Sequence, residues 1–123
     1  MGYIKNRILS FRYAFRGAAT LFRETPNIRL QLAAAIAAVI TGFSLHISRE
    51  EWLAIIIVTG GVFAMEAMNS ALEHLSDFTC RKEIHPAIKK VKDISAAAVL
   101  LAAMAALAVE IVIFLPKIIL LLS

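Results

Sequence analysis

Apolar residues recur at alternating spacings of four and three along the start of the chain: Ile4, Ile8, Phe11, Phe15, Ala18 and Phe22. That spacing predicts one face of a helix over 4–22. Lys5, Arg12 and Arg16 flank the stripe, so the helix is expected to lie in the headgroup plane of a membrane with its apolar side down. The segment RETPN then interrupts it. Pro26 disfavours helical geometry at Thr25, and a new helix is expected from about Asn27. Beyond this point the pattern becomes almost continuously apolar. LQLAAAIAAVITGFSLHI (30–47) and ISAAAVLLAAMAALAVEIVIFL (94–115) each satisfy the requirement of roughly 20 mostly apolar residues for a membrane span. A third stretch, from Glu51 to about Cys80, is apolar in its first half and polar along one face in its second.

The fold class that follows is all-α integral membrane: an N-terminal amphipathic surface helix and three transmembrane helices at about 28–47, 51–80 and 94–115. A polar loop over 78–93 is expected between the last two, all within a single membrane domain, 1–123. The short connection SLHISREEW makes a hairpin of the first two spans, with Trp52 as an interfacial anchor. Gly60 and Gly61 are expected to let neighbouring helices approach closely. His85-Pro86 is expected to stop or start a helix.

Composition agrees, since 60% of the 123 residues are hydrophobic and the mean hydropathy is +0.78, well above ordinary soluble domains. The net charge of +4 changes the picture only through its distribution. Six of the thirteen Lys and Arg precede the first span (Lys5, Arg7, Arg12, Arg16, Arg23, Arg29), and five lie between the second and third (Arg81, Lys82, Lys89, Lys90, Lys92). By the positive-inside rule both basic segments face the cytoplasm, as does the N-terminus. A multi-pass membrane location follows, and nothing points to nucleic acid as a partner. The opening MGYIKNRILSFRYAFRG has no continuous apolar core and does not read as a cleaved signal peptide. The single cysteine, Cys80, excludes an intrachain disulfide framework.

The candidate chemistry lies in the second span. On a helix turning about 100° per residue, Glu66, Asn69, Glu73 and Asp77 fall within a sector roughly 80° wide. Ionisable groups at membrane depth are costly and face a partner, a cavity or a site, and three acids on one face repel one another unless a cation sits among them. Carboxylate oxygens suit a hard cation such as Mg²⁺, which typically takes one or two protein carboxylates together with substrate phosphates. The alternative is that the stripe packs against basic residues of another helix. Lys92 can act as a point charge for phosphate, and Asp93 can cap the following helix or hold a donor. Glu24 faces the same side, where it can instead pair with Arg23 or Arg29. His74 points about 100° away from Glu73 and reads as a boundary residue. Glu110 stands in the third span with three readings: snorkelling, pairing with Lys117, or a polar contact between subunits. No GxxxxGK[ST] or GxGxxG phosphate cradle occurs.

Taken in order, EAMNSALEHLSD at 66–77, HPAIKKVKDISAAAVL at 85–100, YAFRG at 13–17 and ETPNIRLQ at 24–31 resemble the prokaryotic diacylglycerol kinase and undecaprenol kinase family. The resemblance implies an ATP-dependent lipid kinase, assembled as a homotrimer with sites shared between neighbours, that phosphorylates the hydroxyl of diacylglycerol or undecaprenol. It implies Glu66 as the base that takes the proton from the lipid hydroxyl, with Asn69 placing the reacting groups. Glu24 and Glu73 are then the ligands of the Mg²⁺ on the ATP phosphates. Arg7, Tyr13, Glu83, His85, Lys92 and Asp93 match nucleotide-contacting positions, and Asp77 a supporting one. HP and IKKVKD look more like the undecaprenol branch. The chain departs from the family pattern at Pro26, which adds a residue after Glu24, and between Asp77 and His85. A different class, a small oligomeric transporter or proton channel whose pathway is lined by the acids, would need neither Mg²⁺ nor ATP.

Overall fold

The computed structural model describes residues 2–81, 83 and 85–123; Lys82 and Ile84, in the predicted polar loop, lie outside them. Four helices follow one another: α1 (Gly2–Glu24), α2 (Pro26–Ser44), α3 (Arg49–Cys80) and α4 (Pro86–Leu122). The last three are long and apolar enough to cross a membrane. Thr25 alone separates α1 from α2, extended as a residue before proline is (φ −116°, ψ 98°), and Pro26 opens α2 in the first turn where it costs no hydrogen bond.

The α2–α3 hairpin is closed by local chemistry. His46 adopts positive φ, and Ser48 caps α3 in a reciprocal arrangement: its Oγ accepts from the Glu51 N–H (3.2 Å) while its own N–H donates to Glu51 Oε1 (2.8 Å). Trp52 folds back over α2 at Gly42, where a Cβ would sit 2.6 Å from the indole, and tilts against Phe43 with ring centroids 4.8 Å apart. Close approach therefore occurs at Gly42. Gly60 and Gly61, expected to serve this purpose, are exposed and meet nothing within 4 Å in the chain.

α3 and α4 pack antiparallel along most of their length. Lys117 Nζ meets Glu51 Oε1 (3.3 Å) at one end, Ile55, Ile113 and Ile47 form an apolar cluster next, and Asn69–Ser95 and Asp77–Lys92 contacts follow toward the other. Lys117 thus pairs across the interface. The reading that gave it Glu110 as partner is corrected, because residues seven apart on one helix stand about 10 Å apart along its axis.

α4 also begins eight residues before the apolar run at 94, so the connection after α3 is shorter than the predicted loop. His85 caps it, Nδ1 accepting from the Ala87 N–H (3.2 Å), and Pro86 takes the first position. Its 37 residues extend about 55 Å and the 32 of α3 about 48 Å, against a hydrocarbon core of about 30 Å. Both helices therefore project beyond the apolar zone at the basic end. α1 lies at that same end and buries none of its residues; Phe11 and Phe15 are 67% and 74% exposed, an apolar face that the rest of the chain leaves uncovered.

Candidate active site

The polar stripe of α3 divides by depth. Glu66 is only 2% exposed, enclosed by the packing of α3 on its neighbours, with the Gln31 side chain of α2 close enough to interact with its carboxylate. It lies seventeen residues after Arg49, about 26 Å along the helix. One turn on, Asn69 Oδ1 accepts from the Ser95 hydroxyl of α4 (2.7 Å), which leaves the amide NH₂ as a donor. Two turns beyond Glu66, Glu73 is exposed and near enough to act electrostatically on both Glu66 and Lys92. At the end of the stripe Lys92 Nζ donates to Asp77 Oδ1 (2.6 Å). The arrangement grades from a buried carboxylate to a charged, half-exposed pair.

A cleft of about 620 Å³ opens beside that pair, lined by Asp77, Cys80, Glu83, His85, Ile88, Lys89 and Lys92. Of the candidate nucleotide contacts it gathers Glu83, His85 and Lys92. His85 uses Nδ1 as an acceptor in capping α4, so the neutral ring carries its proton on Nε2. Asp93 is exposed and holds Lys89 Nζ one turn back (2.8 Å). The helix-cap reading of Asp93 is corrected, since α4 already has seven residues before it.

The candidates on α1 form a separate group. Arg7 donates through Nε to Tyr3 Oη (3.1 Å) and lies over its ring; Arg16 lies over Tyr13. Tyr13 lines a groove of about 780 Å³ between α1 and α3, with Arg16, Thr20, Leu21, Ser70 and His74 among the other walls. No described residue of α1 lines the cleft at Lys92. Glu24 pairs with neither Arg23 nor Arg29: its Oε2 meets His74 Nε2 (3.2 Å), while His74 Nδ1 meets the Ser70 carbonyl (3.0 Å). Thr25 Oγ1 and Ser70 Oγ are 3.3 Å apart. The end of α1 is thus linked to one turn of α3.

Among the described residues no three or more His, Cys, Asp or Glu side chains gather as a metal cage. The exposed carboxylates Glu24 and Glu73 suit a hard cation held by one or two protein oxygens and completed by water and phosphate.

The model of the family described as prokaryotic diacylglycerol kinase matches residues 12–114. The chain belongs to that family. It is a lipid kinase of the membrane, and the transporter reading loses its ground. The kinase is 39% identical to an undecaprenol kinase of Bacillus subtilis over 108 residues, 88% of this chain and 87% of the relative. It is 34% identical to a diacylglycerol kinase of Synechocystis over 104 residues, 85% of this chain and 59% of that longer relative. No solved structure gives a significant match.

Three participants in the kinase's polar network carried a sequence signal that was not given a role. Gln31 is the one strongly polar side chain between Arg29 and Thr41, and Ser95 stands at the apolar start of the third span. His74 neighbours the stripe, yet its angle on its own helix says nothing of what α1 brings to it. Glu110 has no hydrogen-bond or ion-pair partner among the described residues; it borders a crevice of about 160 Å³ with Gln31, Thr59 and small side chains.

Proposed function

We propose that this kinase transfers the γ-phosphate of ATP to the hydroxyl of a membrane-resident lipid alcohol, undecaprenol in preference to diacylglycerol, at the cytoplasmic face of the bacterial inner membrane. The observation that carries the reading is the depth order along α3 and α4: buried Glu66, then Asn69, then exposed Glu73 and Lys92. The acceptor cannot leave the bilayer and ATP cannot enter it, so a base must lie deeper than the phosphate-binding charges. Glu66 takes the proton of the lipid hydroxyl as its oxygen bonds to the γ-phosphorus. The bond to the β–γ bridging oxygen breaks, and ADP departs from a lipid monophosphate.

Positioning and charge neutralisation supply most of the catalysis in such transfers. The Asn69 amide directs its free donors at reacting oxygens, and Lys92, oriented by Asp77, places a cation at the phosphates. Glu24 and Glu73 would hold Mg²⁺, which when bound neutralises charge on the β- and γ-phosphates. Tyr13 and Arg7 on α1, with Glu83, His85 and Asp93, contribute nucleotide contacts. A homotrimer with shared sites accounts for the separation of the α1 group from the cleft, the α1 of one subunit serving the cleft of the next. The extensive exposed apolar surface of each chain supports association as well as lipid contact.

Acceptor choice is tested by competition. Purified protein in mixed micelles with equal undecaprenol and diacylglycerol is expected to phosphorylate undecaprenol predominantly, read by mass spectrometry of the lipid products. Predominant phosphatidic acid would reverse the assigned preference.

A further inference from the structure

The Glu24–His74 contact joins α1 to α3 across fifty residues of sequence. α1 buries no residue, and Glu24 is its last residue, one position before the extended Thr25. Two polar links fasten this end, Glu24 to His74 and Thr25 to Ser70, and both converge on the single turn Ser70–His74 of α3. The His74 ring is fixed from its own helix by the Ser70 carbonyl. Carbonyl and carboxylate oxygens both accept, so a hydrogen bond at either contact has a ring N–H as its donor.

We propose that His74 is a positioning residue that presents Glu24 to the divalent cation. The inference rests on the reading of Glu24 as a metal ligand. His74 engages Oε2 and leaves Oε1 for the cation. His74 also directly follows Glu73 in the chain, so its tether brings Glu24 to the turn of α3 that carries the other acid. Hydrogen bonds that orient metal-binding carboxylates matter about 10- to 100-fold for affinity. The pair is 61% and 54% exposed, and exposed pairs contribute little to stability. A large effect on metal binding without loss of fold therefore separates positioning from mere structure.

The test is Mn²⁺ binding to the purified full-length protein with a non-hydrolysable ATP analogue, read by the electron paramagnetic resonance of free Mn²⁺. His74→Leu is expected to weaken Mn²⁺ about 10-fold or more, with thermal unfolding unchanged. His74→Gln, whose amide donates where Nε2 does, is expected to recover most of that loss. Glu24→Gln, measured alongside, is expected to weaken Mn²⁺ at least as much. Weak binding in Glu24→Gln with normal binding in His74→Leu would overturn the positioning role and leave the ligand. Equal weakness in both His74 variants would also overturn it, because the donated hydrogen bond would not be the operative contact. Normal binding in Glu24→Gln would remove the ligand reading and this inference with it.

Discussion

Glu66→Gln is expected to lower lipid phosphorylation by about 10²- to 10⁴-fold, the range for loss of a general base, with nucleotide affinity and assembly unchanged. The substitution isolates one property. Glutamine matches glutamate in size, so the enclosed site keeps its packing, and its amide keeps a polar group facing Gln31. Only the capacity to accept the hydroxyl proton is lost. A buried carboxylate with a structural role would produce the opposite pattern: little change in rate per folded molecule, and a change in stability. Turnover measured with saturating lipid, alongside binding of a fluorescent ATP analogue, distinguishes the two. Retention of turnover within a few-fold would remove Glu66 from the chemistry.

Lys92→Met is expected to reduce kcat/KM for ATP by about 10²- to 10³-fold, the scale for losing one preorganised charge-stabilising donor. Methionine preserves the apolar stem and removes the ammonium. The stability cost is small by comparison, since the Lys92–Asp77 side chains are 38% and 42% exposed and ion pairs open to water contribute little. Asp77→Asn is the control. An aspartate that only orients Lys92 gives a smaller loss when replaced, because the lysine remains free to reach the phosphates. Equal losses in the two variants would mean that the ion pair is what matters, and that Lys92 serves the helix interface instead of the nucleotide.

The membrane helices and the α3 stripe were legible because hydropathy and a 100° rotation per residue are properties of one helix at a time. Partners between helices were not. Asn69 belongs to the stripe by rotation, but its Ser95 contact depends on how α4 is registered against α3. The same holds for His74, whose partner arrives from α1, fifty residues away in sequence. The run KKVK read as loop because it is polar, yet it lies within α4. Hydropathy marks where a helix enters lipid, whereas the cap marks where it begins, and His85-Pro86 carried that second signal. The S-x-x-E of Ser48 and Glu51 was a similar unused signal at the start of α3. Glu66 and Gln31 are each an unusual polar residue in an apolar run, and only the α2–α3 hairpin shows that they meet.

Passage of a phosphoryl group from ATP to a lipid hydroxyl can be followed with labelled nucleotide. Its most direct test offers no chosen acceptor: the purified protein, shown to be folded, is incubated with γ-labelled ATP, Mg²⁺ and a total bacterial lipid extract. Label is expected in the organic phase, abolished by EDTA and restored by added Mg²⁺. Label confined to the aqueous phase, whether as ATP or as released phosphate, would contradict it.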